Sequence, residues 1–182
     1  MNRHRGKGGC TVARTEMSIF DFAVKAERDG IGFYTKAAKK FRETDLRELF
    51  MKLAKEEVRH METFLGIKEK AEKKGADQIF RSEQVSDYLD TIIREGLFPK
   101  GDSMVKRLER VNDVGSACAI AMEAEKNAIL LYSELAKLAK DKEQKKIFED
   151  ITKEERSHIV MVGTARADYD PAYAAMRFGR FF

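Results

Sequence analysis

Two histidines stand in the same local setting at two places in the chain. Glu57 precedes His60 by three residues in KEEVRH, and Glu155 precedes His158 by three residues in KEERSH. On a helix, positions three apart share a face, so each pair can direct a carboxylate and an imidazole at one point. Carboxylates and imidazoles are ligands of divalent transition metals. Each pair is therefore a candidate metal-binding motif.

The two motifs belong to an internal repeat. When the sequence is shifted by 98 residues, residues 17–66 align without a gap against residues 115–164, and 13 of the 50 positions are identical. Unrelated segments of ordinary composition would agree at about three or four positions. The identical positions include both Glu-x-x-His motifs, and they include Glu27 with Glu125, each thirty residues before the glutamate of its own motif.

Glu27 and Glu125 lie on the apolar stripes of their helices, each with an aromatic residue seven positions later. Burying four carboxylates without partners would cost several kcal/mol for each one. Two divalent cations would neutralise them, and a set of carboxylates and imidazoles favours iron or manganese over thiolate-binding metals. We therefore predict a dinuclear metal site, with iron as the expected metal and manganese or zinc as alternatives. Its candidate ligands are Glu27, Glu57, His60, Glu125, Glu155 and His158.

Other residues near the motifs have weaker functional interpretations. Tyr34 and Tyr132, seven residues after Glu27 and Glu125, are expected to be core residues whose hydroxyls could alternatively hydrogen-bond the ligand carboxylates. Glu56, Glu154 and Glu123 are expected to face solvent or to lie just outside the ligands. Cys118 is expected to act as a small apolar side chain. No catalytic side chain is identified, since the chemistry is expected at the metals.

The elements that must position these residues are long helices. Residues recurring every seven positions predict helices from near Ser18 to Thr44, from Thr44 to about Lys74, from near Asp113 to about Lys140, and over roughly 142–167. A shorter amphipathic helix is expected within the long connection, at residues 82–98. The predicted fold is all-α: a four-helix bundle of two duplicated helical hairpins joined by a long crossover that contains a short helix.

Three regions are predicted along the chain. Residues 1–16 form an irregular basic tail, residues 17–167 form the bundle, and residues 168–182 form an aromatic C-terminal tail that contains Pro171, the proline expected to stop the last helix. The tail is expected to dock onto its own bundle or onto a neighbouring subunit, and a partner-binding peptide is the weaker alternative.

Composition excludes several classes of protein. The chain has 182 residues with a net charge of +4, but its lysines and arginines alternate with acids along helices, which argues against nucleic-acid binding. No apolar run is long enough for a membrane span. The two cysteines, Cys10 and Cys118, form no C-x-x-C pair, and a reduced cytoplasmic setting is the expectation.

The doubled set of one Glu plus Glu-x-x-His resembles the rubrerythrin branch of the ferritin-like superfamily over about residues 17–165. The resemblance implies a ferritin-like four-helix bundle, a non-haem di-iron site, peroxide or dioxygen chemistry in oxidative-stress defence, and a homodimer or larger assembly. By position, the six candidate ligands named above take the ligand roles.

The sequence departs from rubrerythrins in three places. It has no rubredoxin-like domain with paired C-x-x-C motifs, so the electron donor is expected to be a separate, rubredoxin-like protein. The additional glutamate three residues after the third-helix ligand is replaced by Ala128, and the glutamate before the last histidine by Ser157.

Three functions remain open on the sequence. The first is an oxidoreductase that reduces peroxide or dioxygen. The second is ferroxidase activity or other iron handling. The third is a structural bundle that holds no metal. A substrate-specific oxygenase would need an apolar channel to the metals, which the sequence does not reveal.

Overall fold

The computed structural model describes residues 19–73, 103–139 and 141–179. Over these ranges the chain forms six helices: α1 (Ile19–Lys40), α2 (Thr44–Lys73), α3 (Met104–Arg110), α4 (Val114–Leu138), α5 (Lys142–Tyr169) and α6 (Pro171–Phe178). The predicted all-α bundle is confirmed, and its four long helices are α1, α2, α4 and α5. The basic tail, the predicted helix start at Ser18 and the amphipathic segment at residues 82–98 lie outside the described residues.

The long helices begin where the sequence supplies caps. The Asp113 carboxylate accepts a hydrogen bond from the Ser116 backbone N–H at 2.7 Å, which caps α4. The Asp141 carboxylate accepts from the N–H groups of Glu143 and Gln144 and caps α5. Each cap satisfies backbone donors that have no partner inside the helix.

The molecule is built from two helical hairpins, α1 with α2 and α4 with α5. One face of α2 is buried along its length, and it carries Phe50, Leu53, Ala54, Glu57, His60, Phe64 and Ile67. Every seventh residue from Phe20 in α1 to Phe41, just after α1, is buried too: Phe20, Glu27, Tyr34 and Phe41. The hairpins therefore bury the stripes that the sequence pattern indicates.

The core consists of two apolar clusters with a charged layer between them. One cluster includes Phe33, Phe41 and Phe50, and the other includes Phe20 and Phe148. Along each of the four long helices, a buried glutamate separates the residues of one cluster from those of the other. The apolar clusters thus hold the four helices rigidly on both sides of the charged layer.

Two short helices complete the described fold: α3 lies in the crossover, C-terminal to the segment where the sequence predicts a short helix, and α6 is not predicted by the sequence. α3 packs against α1 and α4, and Lys40 of α1 donates to the Leu108 carbonyl at 2.9 Å. α6 lies within the segment interpreted as a tail, and it packs on α5, where the Arg166 guanidinium lies 4.3 Å from the centroid of the Tyr173 ring.

Within the described ranges, every helix is too short or too polar to cross a membrane.

Candidate metal centre

All six candidate ligands lie in the charged layer, and all are almost completely buried. Their exposed fractions range from 1% to 4%: Glu27 3%, Glu57 3%, His60 1%, Glu125 4%, Glu155 1% and His158 1%. α1 and α4 each supply one glutamate, whereas α2 and α5 each supply a Glu-x-x-His pair. The duplicated sequence therefore produces a duplicated site inside the bundle.

The six side chains form two overlapping groups. Glu27, Glu57, His60 and Glu155 form one group, and Glu57, Glu125, Glu155 and His158 form the other. Within each group, one donor atom from each residue lies within 4.8 Å of all the others. Glu57 and Glu155 belong to both groups, so their carboxylates would be shared by two ions, while each remaining glutamate and histidine would contribute to one ion.

The Nδ1 atoms of the histidines face the carboxylates. His60 Nδ1 lies 3.0 Å from Glu155 Oε1 and 3.3 Å from Glu57 Oε2. His158 Nδ1 lies 2.9 Å from Glu155 Oε2 and 3.3 Å from Glu57 Oε1. The two imidazole rings stack at 5.7 Å between centroids.

Short distances in this layer do not all correspond to hydrogen bonds. Among the described residues, neither carboxylate oxygen of Glu155 has a hydrogen-bond partner of acceptable geometry, and neither does His158 Nδ1. Buried polar atoms are rarely left in this state, and a site for a bound ion is one established reason for it. The lone pairs converge on shared points, which is the arrangement that cations require, so the donor set fits a pair of metal ions.

Without metal, the electrostatics of the layer divide its carboxyl groups into two kinds. Burial and the neighbouring Glu57 charge raise the pKa of Glu27 well above its usual range, and burial does the same for Glu125. Burial also acts on Glu57 and Glu155, but the facing imidazoles overcome it and hold the pKa of both carboxyls below the ordinary value. Glu57 and Glu155 are thus the anionic pair.

The imidazoles respond to the same anions. Burial would lower the pKa of His60, yet the Glu155 and Glu57 carboxylates raise it to about 10. The facing carboxylates also raise the pKa of His158, although burial by itself would lower it. Two imidazolium ions, two carboxylates and two neutral carboxyl groups sum to zero charge, as do two divalent cations with four carboxylates and two neutral imidazoles. Four protons and two divalent cations are therefore electrostatically interchangeable in this layer.

The outer nitrogen of each histidine contacts a carboxylate of the opposite hairpin. His60 Nε2 lies 2.9 Å from Glu154 Oε2, and His158 Nε2 lies 3.1 Å from Glu56 Oε2. Arg59 in turn donates to Glu154. Such outer carboxylates fix the ring orientation of a metal-binding histidine and increase its basicity. Glu56 and Glu154 were expected either to face solvent or to lie just outside the ligands. Their contacts with the histidines show that both lie just outside the ligands.

The tyrosines cross between the hairpins in the same way. The Tyr34 hydroxyl donates to Glu125, and the Tyr132 hydroxyl donates to Glu27. Both rings are 1% exposed or less, so they are core residues that also hydrogen-bond candidate ligands. Burial and the adjacent carboxylates raise the pKa of both tyrosines, which keeps the hydroxyls protonated as donors.

The other two side chains with alternative interpretations take no part in the centre. Glu123 forms a two-bond ion pair with Arg107 of α3, at 2.7 and 2.9 Å. Cys118 is fully buried, and burial raises the pKa of its thiol to about 12, in agreement with a small apolar role.

The rubrerythrin family model matches residues 18–162, which is most of the chain and spans all six candidate ligands. No curated protein and no solved structure matches the chain. A helical bundle of duplicated hairpins, a buried layer with two overlapping Glu/His groups and this family match all agree, and the chain belongs to the rubrerythrin family of ferritin-like di-iron carboxylate proteins.

Proposed function

We propose that the protein is an oxidoreductase that reduces hydrogen peroxide or dioxygen at a di-iron centre held by the six buried glutamates and histidines. The observation that carries the proposal is the pair of groups sharing Glu57 and Glu155. Two shared carboxylates would hold two ions close together, and such a pair would be able to deliver two electrons to one substrate molecule. Reduction of one hydrogen peroxide to two water molecules consumes two electrons and two protons, and a pair of iron ions passing from Fe(II) to Fe(III) would supply the electrons.

The chain's own residues would control the protons and the access of solvent. Tyr34 and Tyr132 hold protons at hydroxyls that contact Glu125 and Glu27, beside the face where an oxidant would arrive. On the opposite face the histidine rings are covered by Glu56 and Glu154, which hold the rings in place. An oxidant would therefore approach from the side of α1 and α4.

The proposal also includes the partners. The 182 residues contain two cysteines and no C-x-x-C pair, so they do not themselves form a rubredoxin-like iron site, and a rubredoxin-like protein is proposed as the electron donor. A homodimer or larger homo-oligomer is proposed as the assembly, which analytical ultracentrifugation measures directly.

Anaerobic stopped-flow spectroscopy tests the proposed reaction. Full-length protein loaded with Fe(II) should be reoxidised by peroxide faster than the same concentration of Fe(II) in buffer, and a Glu57→Ala variant should lose this advantage. Equal rates for protein and buffer would reject the oxidoreductase. If the protein instead took up and oxidised Fe(II) well beyond two ions per chain, iron handling would be its function. Elemental analysis of protein purified without chelators identifies the metal.

A further inference from the structure

A cavity of about 360 Å³ lies between α1 and α4, on the side of the charged layer that faces away from the histidines. Its floor is formed by the four glutamates of the centre and by the hydroxyl-bearing rings of Tyr34 and Tyr132. α3 lies at its mouth, through Met104, Lys106 and Arg107. The cavity therefore leads from the surface to the candidate metal ligands.

The cavity is much larger than peroxide or dioxygen requires. A water molecule occupies about 30 Å³ in the liquid, and hydrogen peroxide, with one more oxygen atom, is only slightly larger. Cavities that hold small organic ligands begin at about 300 Å³. The volume of 360 Å³ thus matches an organic molecule placed above the centre, in addition to any small oxidant.

The cavity is open because small residues stand at matching positions of the two repeats along its walls. Ala26 and Ala124 each precede a floor glutamate by one residue, and Gly30 and Ala128 each follow one by three. Longer side chains at these four positions would fill the space. The lining also carries aliphatic side chains: Ile120 belongs to the cluster against which Met104 packs, and Leu131 belongs to the other cluster, across the charged layer. This part of the cavity fits a hydrocarbon chain.

The mouth carries an excess of one positive charge among its described lining residues. Lys25 pairs with Asp29 at 2.7 Å, and Arg107 pairs with Glu123 at 2.7 Å. Lys106, exposed on the outer turn of α3, adds a third cation. The floor consists of carboxyl groups, which disfavour an anion, so a negatively charged group is favoured at the mouth and disfavoured at the floor.

We propose that this cavity binds a small aliphatic carboxylic acid, with its hydrocarbon chain directed to the glutamate floor and its carboxylate at the mouth beside Lys106. The inference goes beyond the proposed peroxide or dioxygen reduction, and it uses the centre only to define what the inner end of the chain faces. A ligand held in this way would have its distal carbons next to the centre.

Isothermal titration calorimetry of full-length, zinc-loaded protein tests this binding without redox chemistry, because zinc does not change its oxidation state. Straight-chain acids from butanoate to decanoate serve as probes. The affinity should rise by about fourfold for each added methylene until the chain fills the cavity. At equal chain length, the acid should bind more tightly than the alcohol, and the alkylammonium ion should bind most weakly.

Three variants locate the site. Ala128→Leu and Ala124→Leu fill the cavity and should weaken octanoate binding by about tenfold or more. Lys106→Gln is a surface change that leaves the core intact, and it should weaken octanoate by about twofold to fivefold without affecting octanol. Ala172→Leu on α6 and Lys145→Gln on α5, which do not line the cavity, serve as controls and should change neither.

Three results would overturn the proposal: no saturable binding of any acid, binding that Ala128→Leu and Ala124→Leu leave unchanged, or a preference for the ammonium ion. Since the assay uses zinc, these results are independent of whether iron-loaded protein reacts with peroxide. Failure of the cavity proposal is thereby distinguished from failure of the proposed oxidoreductase.

Discussion

At the scale of single residues, the buried layer balances its charges with protons or with metal ions. Glu27 and Glu125 keep their protons because burial raises their pKa, and the two histidines gain protons because carboxylates face them. Metal binding must displace these protons, since a metal binds the carboxylate and the neutral imidazole.

Metal affinity should therefore fall steeply as the pH falls. Loading both ions at neutral pH should release up to four protons, one from each of Glu27, Glu125, His60 and His158. Below a pH of about 10, where His60 is protonated, each decrease in pH increases the concentration of protons that compete with the metal and so weakens metal binding. Zinc titrations by calorimetry in buffers of different ionisation enthalpy count the protons directly. A count near zero would show that the layer is already deprotonated and would contradict the charge exchange.

The outer carboxylates act through the histidines. Glu154→Gln removes a negative charge 2.9 Å from His60 Nε2 while keeping the shape of the side chain. The ring then loses part of its orientation and basicity, so the affinity for metal should fall by about tenfold to a hundredfold. Competition with a chromogenic zinc chelator measures the change. Glu149→Gln, an exposed position on the same helix, should leave the affinity unchanged. Equal affinities for the two variants would reject the role given to Glu154.

Sequence reasoning identified the six candidate ligands because their spacing is local and is repeated. It left Glu56 and Glu154 between two roles because contact between a histidine and a carboxylate of the other hairpin depends on how α2 and α5 approach each other. Helical periodicity places a residue on a face of its own helix, and it does not specify which residue of the facing helix it meets. The same reason applies to the tyrosine hydroxyls and to the cavity.

At the scale of the elements, the four long helices were predictable because apolar and charged residues recur with helical spacing and caps mark their starts. α6 was missed because a proline after a helix was interpreted as a stop alone. Pro171 does end α5, but proline is also favoured at the first position of a helix. Asp170 caps the new helix by accepting a hydrogen bond from the Tyr173 N–H at 3.0 Å.

The packing of α6 depends on a glycine in α5. A methyl group at Gly163 would lie 2.8 Å from Nη1 of Arg177 and 2.9 Å from the Tyr173 hydroxyl, so Gly163→Ala should push these two side chains away and loosen the contact of α6 with α5. Gly66 of α2 provides a matched control, because a methyl group there would meet nothing within 4 Å. Gly66→Ala should stabilise its helix by about 1 kcal/mol and raise the melting temperature by about 2–4 °C.

Limited trypsin digestion and thermal unfolding measure both effects. Gly163→Ala should expose the bond after Arg177 to faster cleavage and should gain less in melting temperature than Gly66→Ala. If both variants gained equally and α6 were cleaved at the wild-type rate, the packing of α6 on α5 would not depend on this close approach.

At the scale of the whole molecule, duplication explains why two ions are expected and why their positions are not independent. Each hairpin contributes a glutamate and a Glu-x-x-His pair, yet neither hairpin forms a complete group alone. Both groups include Glu57 from α2 and Glu155 from α5. The centre therefore exists only when the hairpins are assembled, and metal binding should hold them together.

Because Glu57 and Glu155 belong to both groups, replacing a shared glutamate should cost more bound metal than replacing an equally buried glutamate of one group. Glu27 belongs to one group, so Glu27→Ala should leave the group of Glu57, Glu125, Glu155 and His158 intact and retain about one of two ions. Glu57→Ala removes a ligand from both groups and should lose both ions. Elemental analysis after gel filtration gives the metal content, circular dichroism shows that the variants are folded, and Glu62→Ala at an exposed position of α2 is the control.

The thermal consequence separates a metal centre from a structural bundle. With zinc bound, the wild type should melt at a higher temperature than its metal-free form, because an ion that binds only the folded chain stabilises it by mass action. Zinc should still raise the melting temperature of Glu27→Ala, but by less, and should leave that of Glu57→Ala almost unchanged. Equal responses from the two variants would contradict the bridging positions, and no response in the wild type would favour a bundle whose buried carboxyl groups hold protons alone.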